Sequence, residues 1–384
     1  MARTLKSDRF LFSATLFLVC ASVIMVYSAS AVQAQAKYNQ PFFFLFKQLA
    51  WAVMGFVLML IAMRVDYHHY KRPPVIWSLL GVVVVALLAV FLFAKTNGTR
   101  RWIAFEGFSL QPSELAKLAA IIFSAALLER RMHRVNDILY ALLPIGLVTA
   151  ALAGLIVLEP DFGTAVMVVL IVGTIVFAAG LSYRYLLGSL LVLLPAAMVL
   201  VLGSSYRRRR LESFLDPWKD PMGDGFQAIQ SLIAVGAGGA FGKGLMEGVQ
   251  KLFYIPEPHT DYIFAVIGEE LGLIGTTIVL SCFAVIVWRG LRTALVAQDR
   301  FGSLLAIGIT TMVGLQALIN MSVVTALLPP KGIPLPFVSN GGSSLLVNLL
   351  GMGILLNISQ QSSPVAAMAT LGEPAMATLE RANA

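Results

Sequence analysis

Charge is scarce in this chain: 12% of its 384 residues are charged against 58% hydrophobic, and the mean hydropathy is +0.82. So little charge among so many apolar runs excludes a soluble globule. Cysteine is scarcer still. Cys20 and Cys282 both fall inside apolar runs, which excludes a disulfide framework and a cysteine-based metal motif. Also missing are the short alternating segments of a membrane β-barrel, because stretches such as Leu79–Ala94 and Leu186–Leu202 are apolar all round. What remains is a polytopic, all-α membrane protein.

Ten runs read as transmembrane helices, at about 10–29, 44–63, 75–94, 113–128, 138–157, 164–181, 185–203, 262–287, 303–326 and 343–358. The first follows Arg3, Lys6 and Arg9. Its core of about 20 residues exceeds a signal-peptide h-region of roughly 7–15, so it reads as a retained signal-anchor helix. With the N-terminus in the cytoplasm, Arg64, Lys71 and Arg72, then Arg130, Arg131 and Arg134, then Arg289, Arg292 and Arg300 all fall on the cytoplasmic side, as the positive-inside rule prefers. An even number of spans returns the C-terminus there. The chain reads as one transmembrane domain over about 1–360, with a long extracytoplasmic loop at about 204–261 and a polar cytoplasmic tail at 361–384 expected to be disordered.

That loop breaks the charge rule by carrying Arg207 to Arg210, Lys219, Lys243 and Lys251 outside the membrane, where a basic surface meets either an anionic substrate or the headgroups of membrane lipids. Its glycine-rich run from Gly236 to Gly244 permits close backbone approach. The spacing is not that of a nucleotide-binding loop, and two readings stay open: a phosphate cradle, or a tightly packed re-entrant segment. The loop ends in Pro256-Glu257-Pro258-His259-Thr260-Asp261-Tyr262, where polar chain gives way to an apolar helix. A carboxylate at the membrane surface is costly unless it acts on something, so Asp261 is the candidate reactive group. Neighbouring His259 tunes it, binds a substrate hydroxyl, or caps and orients the loop. His68, His69 and His133 lie among cytoplasmic basic residues and read as solvated surface.

Two further constellations carry charge into apolar surroundings. Glu114 and Lys117, three apart on a helix that Pro112 and Ser113 would start, share a face and can pair at membrane depth, either lining a cavity or fixing helix packing. Glu269, eight residues after Asp261, would lie within about 80° of it and roughly 12 Å further along if one helix carried both, and so would line the same substrate cavity. In Glu159-Pro160-Asp161-Phe162-Gly163-Thr164, a tight turn, Asp161 is a helix cap or a substrate contact.

Several segments together resemble a known family. Phe214-Leu215-Asp216-Pro217-Trp218, Gln227-Ala228-Ile229-Gln230-Ser231, Pro256 to Tyr262, Gly268-Glu269-Glu270-Leu271-Gly272 and Pro334 to Ser344 are similar to those of the SEDS proteins (shape, elongation, division and sporulation), from about Asp8 to Gln360. Met25 to Ser30 and Val324 to Gly332 look more like the division-type, FtsW-like members than the elongation type. Asn340 departs from the family's usual Tyr, and Tyr262 from its frequent Phe. The resemblance implies a ten-span peptidoglycan glycosyltransferase that polymerises lipid II at the outer face of the bacterial cytoplasmic membrane, at the division septum. It implies a class B penicillin-binding protein transpeptidase and other division proteins as partners, and no nucleic acid. It also associates Arg101, Trp102, Glu114 and Lys117 with the active cavity.

The implied reaction has definite requirements. A sugar 4-hydroxyl needs a base to attack the donor's anomeric carbon, and Asp261 is placed to supply it. Passing from an α-linked donor to a β-1,4 glycan inverts that carbon in one displacement, so no second catalytic carboxylate is required. The leaving diphosphate needs cations, and Arg207 and Arg210, in the family pattern Tyr-Arg-x-x-Arg, suit it unless they pair with Glu212 or Asp216. A divalent cation such as Mg or Mn would be held partly by substrate oxygens, because the sequence has no compact ligand cluster. The competing functions are a flippase for the lipid-linked precursor, which intramembrane charges also suit, an elongation-type polymerase, and a noncatalytic division scaffold.

Overall fold

The computed structural model describes residues 7–93, 100–105 and 108–362. These are overwhelmingly helical, because in a lipid phase every backbone N–H and C=O must be satisfied within its own segment. In chain order the α-helices are α1 (Arg9–Tyr38), α2 (Phe43–Arg64), α3 (Pro73–Ala89), α4 (Pro112–Arg131), α5 (Leu143–Leu158), α6 (Phe162–Ala178), α7 (Tyr183–Leu202), α8 (Ser205–Leu215), α9 (Phe226–Gly238), α10 (Ile263–Leu295), α11 (Arg300–Val324) and α12 (Gly342–Gln361). Ten of them coincide with the ten expected spans; α8 and α9 lie in the expected long loop. Among the described residues, eight helical segments are long and apolar enough to cross a membrane. The two remaining spans are α6, which has only 17 residues, and α4, which carries Glu114, Lys117 and Glu129. A short antiparallel pair, β1 (Ile103–Phe105) and β2 (Phe108–Leu110), precedes α4. The expected tail at 363–384 lies outside the described residues.

Helix starts follow ordinary capping chemistry, in which a carboxylate accepts from the free N–H groups of the first turn. Asp8 accepts from the amides of Phe10 and Leu11, Asp161 from Thr164 and Asp299 from Gly302. α12 is nearly enclosed, packing on α2, α4 and α11, whereas α7 has no buried residue and meets mainly α8.

One end of the bundle gathers the loops that the charge rule puts together. Lys71 Nζ lies 2.9 Å from Glu129 Oε1 and 3.7 Å from Asp299 Oδ2, and the Tyr67 hydroxyl donates to Asp299 Oδ1 at 2.6 Å. Arg289 Nε donates to Asp8 Oδ2 at 2.6 Å. His68, expected at the solvated surface, is 35% exposed there, with Nδ1 2.7 Å from Asp66 Oδ1 and Nε2 3.6 Å from Asp299 Oδ2. Two acidic neighbours draw its ring into the loop junction.

At the other end α10 is broken at Gly272, whose φ of 64° and ψ of −158° interrupt the helix. The glycine-rich run fills the break. Lys243 N and Gly244 N donate to the carbonyls of Glu269 and Glu270, and Leu273 N and Ile274 N donate to those of Gly239 and Ala240, at 2.9–3.2 Å. A Cβ on Gly242 would stand 2.1 Å from Glu270 O, so only glycine permits the approach. Of the two readings of this run, the structure takes tight packing: these amides face protein carbonyls rather than an anion.

Candidate active site

Asp261 stands one residue before the N-cap of α10, at the foot of a polar cavity of about 460 Å³. Arg101, Trp102, Gln111, Arg210, Glu257 and Lys331 line it with Asp261. A second cavity, of about 210 Å³, shares Arg101, Tyr206, Arg210, Lys331 and Gly332 with the first and adds Arg207 and Phe162. The elements that bring these side chains together are far apart in sequence: the strand hairpin, the α5–α6 turn, α8, the end of the long loop and the proline-rich segment after α11.

The Asp261 carboxyl is pushed up to about 7, first by burial and then by the Glu257 carboxylate, while Arg210 and Arg101 pull it back. It remains open to the cavity. A Cβ on Gly332 would lie 2.9 Å from Asp261 Oδ2, so the missing side chain there leaves the carboxylate room. Such a carboxyl is half ionised near neutrality, which is where a general base works best.

The four consecutive arginines divide by helix face, as positions three apart on α8 must. Arg208 pairs with Glu212 at 3.7 Å and Arg209 with Asp224 at 3.3 Å, both exposed. Arg207 and Arg210 turn inward, half-buried, and among the described residues neither has a carboxylate partner. Arg210 donates to Pro330 O at 3.0 Å and lies 4.7 Å from the Tyr206 ring centre; Arg207 donates to Leu200 O at 2.9 Å and lies 5.4 Å from that of Phe162. Carbonyls and ring faces orient the guanidiniums without neutralising them. Arg101 is held the same way, by the carbonyls of Glu159 and Pro160. Lys331 Nζ lies 5.2 Å from the Phe162 ring centre, and burial lowers its pKa while Asp161 opposes that shift.

Other expected site residues lie elsewhere. Glu269 does not line the cavity: it is fully buried, 2.7 Å from Lys243 Nζ, and accepts from the amides of Val249 and Gln250. The helix begins at Ile263, so the helical angle drawn from Asp261 to Glu269 does not apply. Glu270 is likewise held by Lys251 Nζ at 2.6 Å and Ser28 Oγ at 2.7 Å. Glu114 and Lys117 pair at 3.0 Å, buried and off both cavities, with Lys117 Nζ also donating to Gln316 Oε1 at 2.6 Å. His259 is buried against Phe44, with ring centres 4.3 Å apart, and burial takes it down to about 4 with help from Lys37 and Lys47. It stays neutral at pH 7, and its carbonyl accepts from Asn340 N at 2.9 Å, so it orients the loop. Asp161 caps α6 and accepts from Gln111 Nε2 at 3.0 Å, at the rim of the smaller cavity. Lys331, Tyr206 and Gln227 were not singled out from the sequence as site residues. A lysine following two prolines at the end of an apolar helix was the available signal for the first.

The acidic lining is thin. Asp261 and Glu257 are the carboxylates of the larger cavity, and among the described residues no group of three side chains could hold a metal. A Mg or Mn ion fits there only as one shared with a phosphorylated substrate.

The chain is similar to known proteins along nearly its whole length. The family model described as "Cell cycle protein", covering FtsW, RodA and SpoVE, matches residues 8–364. A "Probable peptidoglycan glycosyltransferase FtsW" of Geobacter sp. (strain M18) is 44% identical over 364 residues, covering 94% of this chain and 98% of its own. "Stage V sporulation protein E" of Bacillus subtilis (strain 168) is also 44% identical, over 361 residues, covering 92% and 97%. Among solved structures, a chain from "Structural coordination of polymerization and crosslinking by a peptidoglycan synthase complex" superposes with a TM-score of 0.77 at 30% identity, covering 94% of this chain and 99% of that one. With the family model matched along nearly its whole length, the chain belongs to the SEDS family of multi-pass membrane proteins, the FtsW, RodA and SpoVE cell cycle proteins.

Proposed function

We propose that this peptidoglycan glycosyltransferase polymerises lipid II by a single inverting displacement, with Asp261 as the base. The observation that carries the reading is one cavity in which a carboxyl poised near pH 7 faces Arg101, Arg210 and Lys331, cations that form no ion pair among the described residues. Asp261 takes the proton from the acceptor's 4-hydroxyl as that oxygen attacks the donor's anomeric carbon. The bond from that carbon to the diphosphate breaks, and Arg207, Arg210, Arg101 and Lys331 around the smaller cavity receive the charge. The larger cavity then takes the acceptor and the smaller one the diphosphate. A Mg or Mn ion, if bound, would be held mainly by the diphosphate oxygens and would neutralise their charge.

The setting that suits this chemistry is the outer face of the cytoplasmic membrane at the septum, both termini being cytoplasmic. A class B penicillin-binding protein transpeptidase and other division proteins are the partners. The basic residues of the loops gathered around Lys71 support that orientation, and the long basic loop does not oppose it, because long loops translocate largely regardless of charge. The test is glycan synthesis from lipid II by the purified chain with its transpeptidase partner, for the parent and for Asp261→Asn. The amide keeps the size and removes the basic lone pair, so the rate should fall by roughly 10²–10⁴-fold with folding and lipid II binding intact. A well-folded variant working at the parental rate refutes the assignment. Headgroup translocation in liposomes without polymer would mark a flippase.

A further inference from the structure

The proline-rich segment beside Asp261 is poor in backbone donors. Pro329, Pro330, Pro334 and Pro336 have no N–H, so carbonyls there must find partners elsewhere. Two buried amides on α11, one turn apart, supply them. Gln316 Nε2 donates to Pro334 O at 2.9 Å and to Ser344 Oγ at 3.1 Å. Asn320 Nδ2 donates to Ile333 O at 2.8 Å and to Asp261 O at 2.7 Å. Gln316 is fully buried and Asn320 is 1% exposed. Both neighbours of the Asn320 nitrogen are carbonyls, which fixes the amide's orientation, because an oxygen placed there would have no donor.

This geometry makes Asn320 the point where the two halves of the cavity rim meet. One of its N–H groups holds the main chain of Asp261, and the other holds the segment carrying Lys331 and Gly332. Those halves are separated by the whole of α10 and α11 in sequence, and Asn320 is hydrogen-bonded to both. Gln316, which takes Lys117 Nζ on its oxygen, continues the same row toward the Glu114–Lys117 pair.

We propose that Asn320 is a positioning residue for glycosyl transfer, fixing the distance between the Asp261 carboxylate and the Lys331–Gly332 rim. This rests on Asp261 as the base. A shift of about 1 Å in a reacting group costs up to about a hundredfold in rate, and removing Asn320's two bonds frees the Asp261 main chain to move on that scale.

The test uses the full chain with its transpeptidase partner and lipid II, with rates normalised to folded complex. Asn320→Ala should lower kcat by about ten- to a hundredfold and leave KM within about threefold. Placed on Asp261→Asn, it should lower the residual rate by less than about twofold, since a base already lost has no position to lose. Asn320→Ser retains one donor; it should fall between parent and alanine variant, and it carries both comparisons if the alanine variant fails to assemble. An unchanged kcat per folded complex, or the full loss repeated in the Asp261→Asn background, overturns the proposal while leaving Asp261 as base. A fully active Asp261→Asn removes both readings.

Discussion

Gly332 is packed against Asp261 so closely that a single methyl on it would sit 2.9 Å from Oδ2. The carboxylate therefore owes its freedom to a missing side chain on another segment of the chain. Gly332 itself is exposed to the cavity side, so nothing in the core demands a glycine there.

Gly332→Ala should for that reason fold normally and transfer slowly. The new methyl pushes the carboxylate aside by a few tenths of an ångström or more, and we expect a loss of about tenfold or more in kcat with an unchanged thermal midpoint. Kinetics and thermal unfolding of the same preparation check it.

The pH dependence carries a sign. The base form of Asp261 grows as pH rises through about 7, so kcat/KM should climb across that range. Burial and Glu257 raise this pKa while Arg210 and Arg101 lower it, so Glu257→Gln should move the midpoint of the climb down and Arg210→Gln should move it up. Profiles of the parent and both variants decide the matter, and shifts of the opposite sign would count against Asp261.

The arginine run offers an internal control. Replacing inward-facing Arg207 and Arg210 by Gln should weaken lipid II use by roughly ten- to over a hundredfold for each lost contact. The same change at exposed Arg208 and Arg209, whose ion pairs are worth about 0–1 kcal/mol, should leave polymerisation within about twofold. Titrating lipid II against both double variants measures the contrast.

Lys117→Met strands Glu114 among buried groups and removes the donor to Gln316, and breaking such a pair typically costs about 3–5 kcal/mol. Glu114→Gln added to it takes the stranded charge away, so most of the thermal stability should return, and activity per folded molecule with it. Unfolding midpoints and rates of the single and double variants show whether the pair only packs helices.

How much of this was legible in the sequence depended on whether periodicity applied. Hydrophobic runs gave ten spans, and three-residue spacing put Glu114 beside Lys117, because helices impose those neighbours; Arg207 and Arg210 came instead from the family pattern, in chain that read as loop and is helical as α8. The spacing rule misplaced Glu269, since it was extended past Ile263 into chain that is not helical. Lys331, Tyr206 and Gln227 sit on segments that no period connects, and their meeting at Asp261 is set by packing among distant elements. The glycine-rich run was ambiguous for a related reason: backbone amides bind phosphate or carbonyl oxygen equally well, and only the partner distinguishes them.

The seam between residues 239–244 and the broken helix has a consequence for hydrogen exchange. Four main-chain amides, of Lys243, Gly244, Leu273 and Ile274, are bonded across it between stretches about thirty residues apart, although half of them belong to what reads as loop. Deuterium uptake there should be as slow as in the enclosed helices and released only when the kink itself opens, whereas the turn at Asp220 to Asp224, held by local bonds and exposed, should label at once.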